Sequence, residues 1–333
     1  MRAHQTLLVV VADAEGAVVR HRALAYRLAL AQEGVALEVA AWPKGYSARR
    51  AVLDRAHKAG SAWVLSRLLR GVDVDRLRSR VRRLLFDFDD ALPFRDSARG
   101  AGRSSTRARR FRAIVRAADA VSAGNPYLAA LAEAEGAKAT VLPTTVACDA
   151  EPPVPEPPVP PHVLGWIGTR STLPYLAAKT IPLAAVVATG LPFRLRVIAD
   201  AVPRMPPGIP VEGVRWTEEG ALPALDGIHV GLAPLPDDPW TRGKCGLKVL
   251  QMLSRGRPVV ASPVGVQREQ VRHGTTGFLA TSHEDFLTSI SALLRDAPLR
   301  HRMGKAAKAD VRARWSVDAW AGRVAAFVAG ALA

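Results

Sequence analysis

Short apolar runs recur along the first part of the chain, at 7–11, 36–41, 63–65, 84–88, 120–122 and 140–142. Each is too short for a helix and carries few polar residues. Strands of a parallel sheet covered on both faces have this pattern, because neither side of the strand meets water. Between the runs lie segments with apolar residues at helical spacing, clearest over 18–32 and 107–118. After residue 161 the pattern restarts, with strands expected at 162–168, 194–198, 210–214, 227–232, 258–262 and 277–279. Three amphipathic or Ala-rich helices, 284–296, 298–315 and 317–331, close the chain. Alternating strands and helices predict an α/β protein with parallel, doubly wound sheets.

The run 151–161 (EPPVPEPPVPP) divides the two series. Proline fixes φ and has no N–H to give a sheet, so the run reads as an extended interdomain spacer. The expected organisation is a first Rossmann-like domain at 1–150, a linker at 151–161, a second Rossmann-like domain at 162–315 and a terminal helix at 316–333. Two such domains would face each other across a cleft, the natural place for a site. With 333 residues and 49% hydrophobic content, the chain is long enough for two cores. No apolar run reaches membrane-spanning length, and 7–11 is too short for a signal peptide, which predicts cytoplasmic residence. The two cysteines, Cys148 and Cys245, have no metal-ligand spacing and read as free thiols.

A formal net charge of +16 would suit a nucleic-acid binder. The basic residues are mostly arginine against abundant alanine, a pairing that a GC-rich coding sequence produces. Aromatic content is only 6%, and no helix-turn-helix, zinc-finger or stacking-sheet pattern occurs, so no nucleic-acid partner is expected. The charge concentrates at 76–83 and 99–116, around the acidic Asp87-Phe-Asp-Asp90. Such clusters attract anionic membrane by about 1 kcal/mol per residue, so peripheral contact on the inner membrane face is the expected use, with a solvated helix face as the alternative.

The chemistry concentrates in the second half. Lys244 and Lys248 fall at the start of an expected helix whose apolar face is Leu247, Val249, Leu250, Met252 and Leu253. Cations are misplaced there, each costing from a few tenths to about 1 kcal/mol, unless a bound anion reverses the sign. A phosphate or diphosphate would do so, although two solvated lysines remain an alternative. Gly256 stops the helix, and the strand 258–262 is broken by Pro263 and Gly265 at its carboxyl end, where open α/β sheets bind ligands. Likewise, Gly168 ends a strand in a turn that lets a ligand approach the backbone, and Thr169 or Arg170 could hold diphosphate.

This order of helix, PVVAS, Gly265, Glu269 and then Gly274-Thr-Thr-Gly-Phe-Leu279 resembles the nucleotide-sugar half of the retaining family-four glycosyltransferases (group 1). The run 165–176 (GWIGTRSTLPYL) is similar to the first donor-domain loop of one bacterial branch of that family. The resemblance covers most of residues 162–320. It implies a GT-B fold and transfer of a sugar, with retention, from a nucleoside diphosphate sugar to a hydroxyl on a glycan, lipid-linked sugar or small molecule, with no metal or other cofactor required. The domain 1–150 would then take the acceptor, 162–315 the donor, and the last helix would cross back to the first domain. Lys248 inherits the diphosphate role with Lys244 beside it, and Trp216 and Thr217 fall near the base. The family frames this helix with two glutamates, and here those positions are Gly243 and Gln251. Gln251 retains hydrogen-bonding capacity toward ribose, whereas Gly243 cannot replace a carboxylate. The loop 237–242 either lines the donor sugar or is a surface turn.

On the acceptor side, Arg20, His21 and Arg22 form a cation trio expected near a helix N-terminus, where an anionic partner would bind. Asp89 and Asp90 close a strand, and either could act as general base toward an acceptor hydroxyl, with helix capping or pairing with nearby arginines as the alternative. Asn125 is expected to cap a helix. Two other classes stay open: a non-catalytic nucleotide-sugar or glycan binder, favoured by Gly243 and Gln251, and a basic scaffold on membrane or nucleic acid, favoured by charge alone.

Overall fold

The computed structural model describes residues 5–97, 100–148, 161–177, 182–202 and 205–333, so all of the expected linker except Pro161 lies outside the described residues. The chain forms two compact units. Unit 1 comprises the residues up to Thr145, the segment Asp238–Cys245 and Val317–Ala333, and unit 2 comprises Val146–Asp237 and Gly246–Ser316. The first boundary thus falls at Thr145 rather than at 150, and eight residues from the middle of the second series belong to the first unit.

Unit 1 runs β1 (Gln5–Val11), α1 (Ala17–Arg22), α2 (Arg27–Gln32), β2 (Val35–Ala41), α3 (Tyr46–Ala59), β3 (Ser61–Leu65), α4 (Gly71–Arg78), β4 (Arg83–Phe88), α5 (Ser105–Ala117), β5 (Ala120–Ala123), α6 (Pro126–Glu133) and β6 (Ala139–Val141). The strands pair in parallel in the order β2-β1-β3-β4-β5-β6. Alternation along β1 shows why both faces are covered. Leu8 and Val10 pack with Val52, Leu77, Phe111 and Ile114 of α3 to α5, while Leu7, Val9 and Val11 pack with Val19, Tyr26, Leu30 and with Val324 and Val328 of the C-terminal helix. Each such side chain, fully buried, contributes about 1.5–3 kcal/mol of transfer free energy. The helix expected over 18–32 is broken. Ala23 leaves helical geometry (φ −131°), and a 3₁₀ turn at Leu24–Tyr26 separates α1 from α2. The break lets two polar groups of this segment reach buried partners: Arg22 reaches Asp87, and the Tyr26 hydroxyl reaches Thr145 Oγ1 at 2.6 Å.

Unit 2 runs β7 (His162–Ile167), α7 (Leu173–Ala177), α8 (Leu183–Ala188), β8 (Phe193–Ala199), β9 (Val211–Arg215), α9 (Glu218–Asp226), β10 (Val230–Ala233), α10 (Leu247–Ser254), β11 (Val259–Ala261), α11 (Gln267–Gln270), β12 (Gly277–Leu279), α12 (His283–Arg295) and α13 (Ala297–Arg314). The last helix, α14 (Val317–Leu332), is part of unit 1. The parallel order β12-β11-β10-β7-β8-β9 is the doubly wound arrangement in which the direction of strand addition reverses between β7 and β10. Among the described residues no helix is long and apolar enough to cross a membrane.

Candidate functional site

The carboxyl edge of the unit 2 sheet gathers residues far apart in sequence. β7 ends at Gly168, whose N–H continues the ladder to Ile198 O at 3.0 Å. The Trp166 indole lies over this glycine, and a Cβ there would stand 1.8 Å from a ring carbon, so only glycine fits. The turn that follows is tightly bonded: Thr169 N–H donates to Thr172 Oγ1 at 3.1 Å, and Arg170 N–H donates to Asp200 Oδ1 at 2.7 Å. Asp200 follows β8, the neighbouring strand. Lys248, in the first turn of α10, donates from Nζ to Thr172 Oγ1 at 2.9 Å and lies 5.3 Å from the Trp166 ring centre. A half-buried ammonium is therefore held over the β7 turn, next to the point where strand order reverses. The start of α10 has no side-chain cap, since its N-cap is Gly246 at φ +68°. A side chain at 246 would also collide with Gln270, whose Oε1 would be 2.0 Å from a Cβ.

Trp216 follows β9 on the same sheet edge and is 38% exposed, while Thr217 caps α9 by accepting from Gly220 N at 3.0 Å. Gln251 is half-buried on α10, and Gly265 (φ +52°) lies beyond the carboxyl end of β11. Unit 2 thus carries Gly168, Thr169, Arg170, Trp216, Thr217, Lys248, Gln251 and Gly265, and it brings Lys248 directly to the Gly168–Thr172 turn. Sequence reasoning missed Trp166, Thr172 and Asp200. The only advance signal was the clustering of small polar residues after Gly168.

Lys244 is not in the first turn of this helix. α10 begins at Leu247, and Lys244 follows a 3₁₀ turn (Thr241–Gly243) that belongs to unit 1. There its Nζ pairs with Asp90 Oδ1 at 2.7 Å and lies 4.5 Å from the Trp240 ring centre. Asn125 caps α6, accepting from Leu128 N, and its Nδ2 donates to Gly243 O at 3.3 Å. Gly243 sits against Ala91, where a Cβ would be 2.6 Å from the Ala91 Cβ and 2.7 Å from its backbone nitrogen. No acidic side chain fits at that position.

Arg20, His21 and Arg22 occupy the last turn of α1, not its start, because the helix begins at Ala17 and ends at the Ala23 break. Arg20 donates to the carbonyl of Glu15. Arg22 is buried and binds Asp87 bidentately, Nε to Oδ1 at 2.8 Å and Nη2 to Oδ2 at 2.5 Å, while Nη1 donates to Leu142 O at 2.7 Å. Ser122 Oγ completes the Asp87 shell at 2.6 Å. Burial alone would lower the Arg22 pKa, but the attraction and hydrogen bonds of Asp87 outweigh it and raise the net value. The partners seen for the acidic run among the described residues lie elsewhere in the sequence. Asp87 takes Arg22, Asp89 takes the hydroxyl of Ser66, and Asp90 takes Lys244. The neighbouring arginines are engaged elsewhere: Arg103 and Arg112 with Glu135, Arg78 with Asp119 and Arg80 with Asp54.

Cys245 is buried beside this acidic run. Burial first, then the charges of Asp89 and Asp90, raise its thiol pKa well above the ordinary range, with Arg22 opposing. A protonated, buried thiol is unreactive. A maleimide at neutral pH is therefore expected to modify the half-exposed Cys148 and to reach Cys245 only after unfolding, which mass spectrometry of the labelled chain reads directly. Native labelling at Cys245 would contradict this placement. Among the described residues, no group of three His, Cys, Asp or Glu side chains is placed to hold a metal ion.

Two parallel Rossmann-like sheets of this order define the GT-B fold. Solved structures share it across nearly the whole chain. The Anabaena protein HepE, in complex with UDP-glucose, is 14% identical with a TM-score of 0.69, covering 98% of this chain and 100% of that one. Sucrose-phosphate synthase from Thermosynechococcus elongatus is 16% identical with a TM-score of 0.74, covering 98% and 99%. A glycosyltransferase from Rickettsia africae is 13% identical with a TM-score of 0.72, covering 100% and 99%. Residues 239–310, which run from the segment before α10 through β11, β12 and α12 into α13, match the family described as glycosyl transferases group 1. No curated protein matches the sequence.

Proposed function

We propose that the chain transfers a sugar from a nucleoside diphosphate donor to a hydroxyl acceptor. The observation that carries this reading is Lys248 Nζ held 2.9 Å from Thr172 Oγ1 over the β7 turn, at the switch point of a doubly wound sheet. The family match over 239–310 and the UDP-glucose bound by HepE support the donor class.

In this scheme the diphosphate lies against Gly168, Thr169 and Arg170, Trp216 stacks on the base and Gln251 meets ribose. The bond between the anomeric carbon and the diphosphate oxygen breaks with its electron pair going to the diphosphate. The Lys248 ammonium and the N–H groups opening α10 stabilise that charge, as preorganised donors do for other leaving groups. The acceptor oxygen bonds to the anomeric carbon and gives its proton to the Asp89 carboxylate. Asp90 and Lys244 act as a pair that neutralises the surroundings of Asp89. Retention follows the family resemblance. Exposed arginines of the α3–α5 layer, among them Arg50, Arg76, Arg109 and Arg116, support an acceptor carried on an anionic membrane.

A panel of UDP, GDP, ADP, CMP and dTDP tests the donor site by thermal shift. A nucleotide at a hundred times its dissociation constant adds about 2.7 kcal/mol. For a unit of this size that raises Tm by about 5–10 °C. No response to any of the five would discard the reading. Stabilisation without turnover of the matching sugar donor would identify a binding protein instead, the outcome favoured by the absent acid at Gly243.

A further inference from the structure

Ser66, directly after β3, has φ +44°, in the left-handed region that side chains avoid and glycine fills at no steric cost. A serine retained there keeps a hydroxyl in place of an easier backbone, a pattern that collects at functional sites. The hydroxyl donates to Asp89 Oδ1 and accepts from the Asp89 N–H at 3.0 Å, and the Ser66 N–H donates to Asp87 O at 2.7 Å. Serine and aspartate are thus locked in a reciprocal pair across the ends of β3 and β4. This pair stands beside the place where strand order reverses in unit 1, since β2 adds outside β1 and β3 adds on its other side. The next residue, Arg67, has its Nε buried and without a hydrogen-bond partner.

We propose that Ser66 is a positioning residue for the acceptor. By occupying Oδ1 it commits the other Asp89 oxygen to an incoming hydroxyl, and Arg67 supplies a donor to a second hydroxyl of a polyhydroxylated acceptor. The inference rests on the sugar-transfer reading and adds the acceptor-binding end of unit 1. Charge placement supports it, because an acceptor hydroxyl next to a fixed carboxylate loses its proton most readily when that carboxylate cannot rotate away.

Ser66→Gly in the full chain separates positioning from scaffolding. Relief of the left-handed backbone opposes the loss of two hydrogen bonds, so Tm is expected within about 3 °C of wild type. The kcat for transfer to a sugar acceptor is expected to fall about tenfold or more, while KM for the donor and the nucleotide thermal shift stay at wild-type values. Ser66→Asn, which tolerates the left-handed backbone and carries an amide donor, is expected to recover part of the loss. Wild-type kcat in Ser66→Gly overturns the proposal, as does a parallel loss of nucleotide binding, which would mark a structural fault. Wild-type chain with no nucleotide response would instead bring down the sugar-transfer reading itself.

Discussion

Lys248→Ala is expected to lower kcat/KM for sugar transfer by about 10²–10³-fold while leaving Tm unchanged or slightly raised. Removing one preorganised donor from a developing oxyanion costs about 2.7–4 kcal/mol in activation free energy, which sets the size of the effect. The stability expectation has the opposite sign because of where the lysine sits. A cation in the first turn of α10 faces the positive end of the helix dipole, so its loss relieves a cost of a few tenths to about 1 kcal/mol. Its half-buried side chain meets Thr172 and the Trp166 ring. Activity lost with stability kept separates a charge placed for a ligand from one placed for the fold. Lys248→Arg is expected to restore little, because a planar guanidinium does not reproduce a point charge over a tight turn. Steady-state kinetics with the nucleotide sugar identified by thermal shift, together with a melting curve, decide the matter. Near-wild-type transfer by Lys248→Ala would remove the proposed leaving-group chemistry. Lys244→Ala offers the contrast: its side chain answers Asp90 in unit 1, so nucleotide-induced stabilisation is expected to stay intact in that variant.

Periodicity located the twelve strands of the described residues to within three residues at either end, because the central strands of both parallel sheets are covered on both faces and read as apolar runs, while β8 and the edge strands β2, β6 and β9 interrupt theirs with polar or exposed positions. The long helices 283–295, 297–314 and 317–332 were equally legible. What composition could not reveal were local breaks driven by tertiary partners. Nothing in 18–32 signals the interruption at Ala23, since its cause is a carboxylate 65 residues away. Lys244 looked helical because a glycine's residue type alone does not show its backbone conformation, and it is the φ of +68° at Gly246 that sets the helix boundary after Lys244. The ion partners of the acidic run were also invisible. Sequence proximity favoured the arginines of 99–116, but the parallel sheet places the end of β4 beside α1 and the 238–245 segment. Lys248 does open α10, as its place before the apolar face suggested, because a helix start depends on residues within one turn of the chain and not on distant contacts.

Arg22→Ala is expected to destabilise unit 1 severely. The pair with Asp87 is nearly inaccessible, with side-chain exposures of 3% and 1%, so truncation leaves a carboxylate buried with only Ser122 to answer it. Breaking such a pair on one side costs about 3–5 kcal/mol. For a unit of this size that lowers Tm by roughly 6–20 °C. The Leu142 carbonyl also loses its donor, which pushes the cost toward the upper end. Replacing both partners with apolar residues of similar volume, Arg22→Met with Asp87→Leu, is expected to recover most of the loss, because the penalty comes from the unpaired charge rather than from the absent attraction. This series also tests the alternative in which the α1 cations bind the acceptor. An arginine that served the acceptor would, when removed, raise the acceptor KM and leave the melting curve in place. An arginine that holds the fold would lower Tm in the single variant, and Tm would rise again in the double one, with acceptor KM following stability at each step. Unchanged Tm in Arg22→Ala would mean that the buried pair does not form in solution.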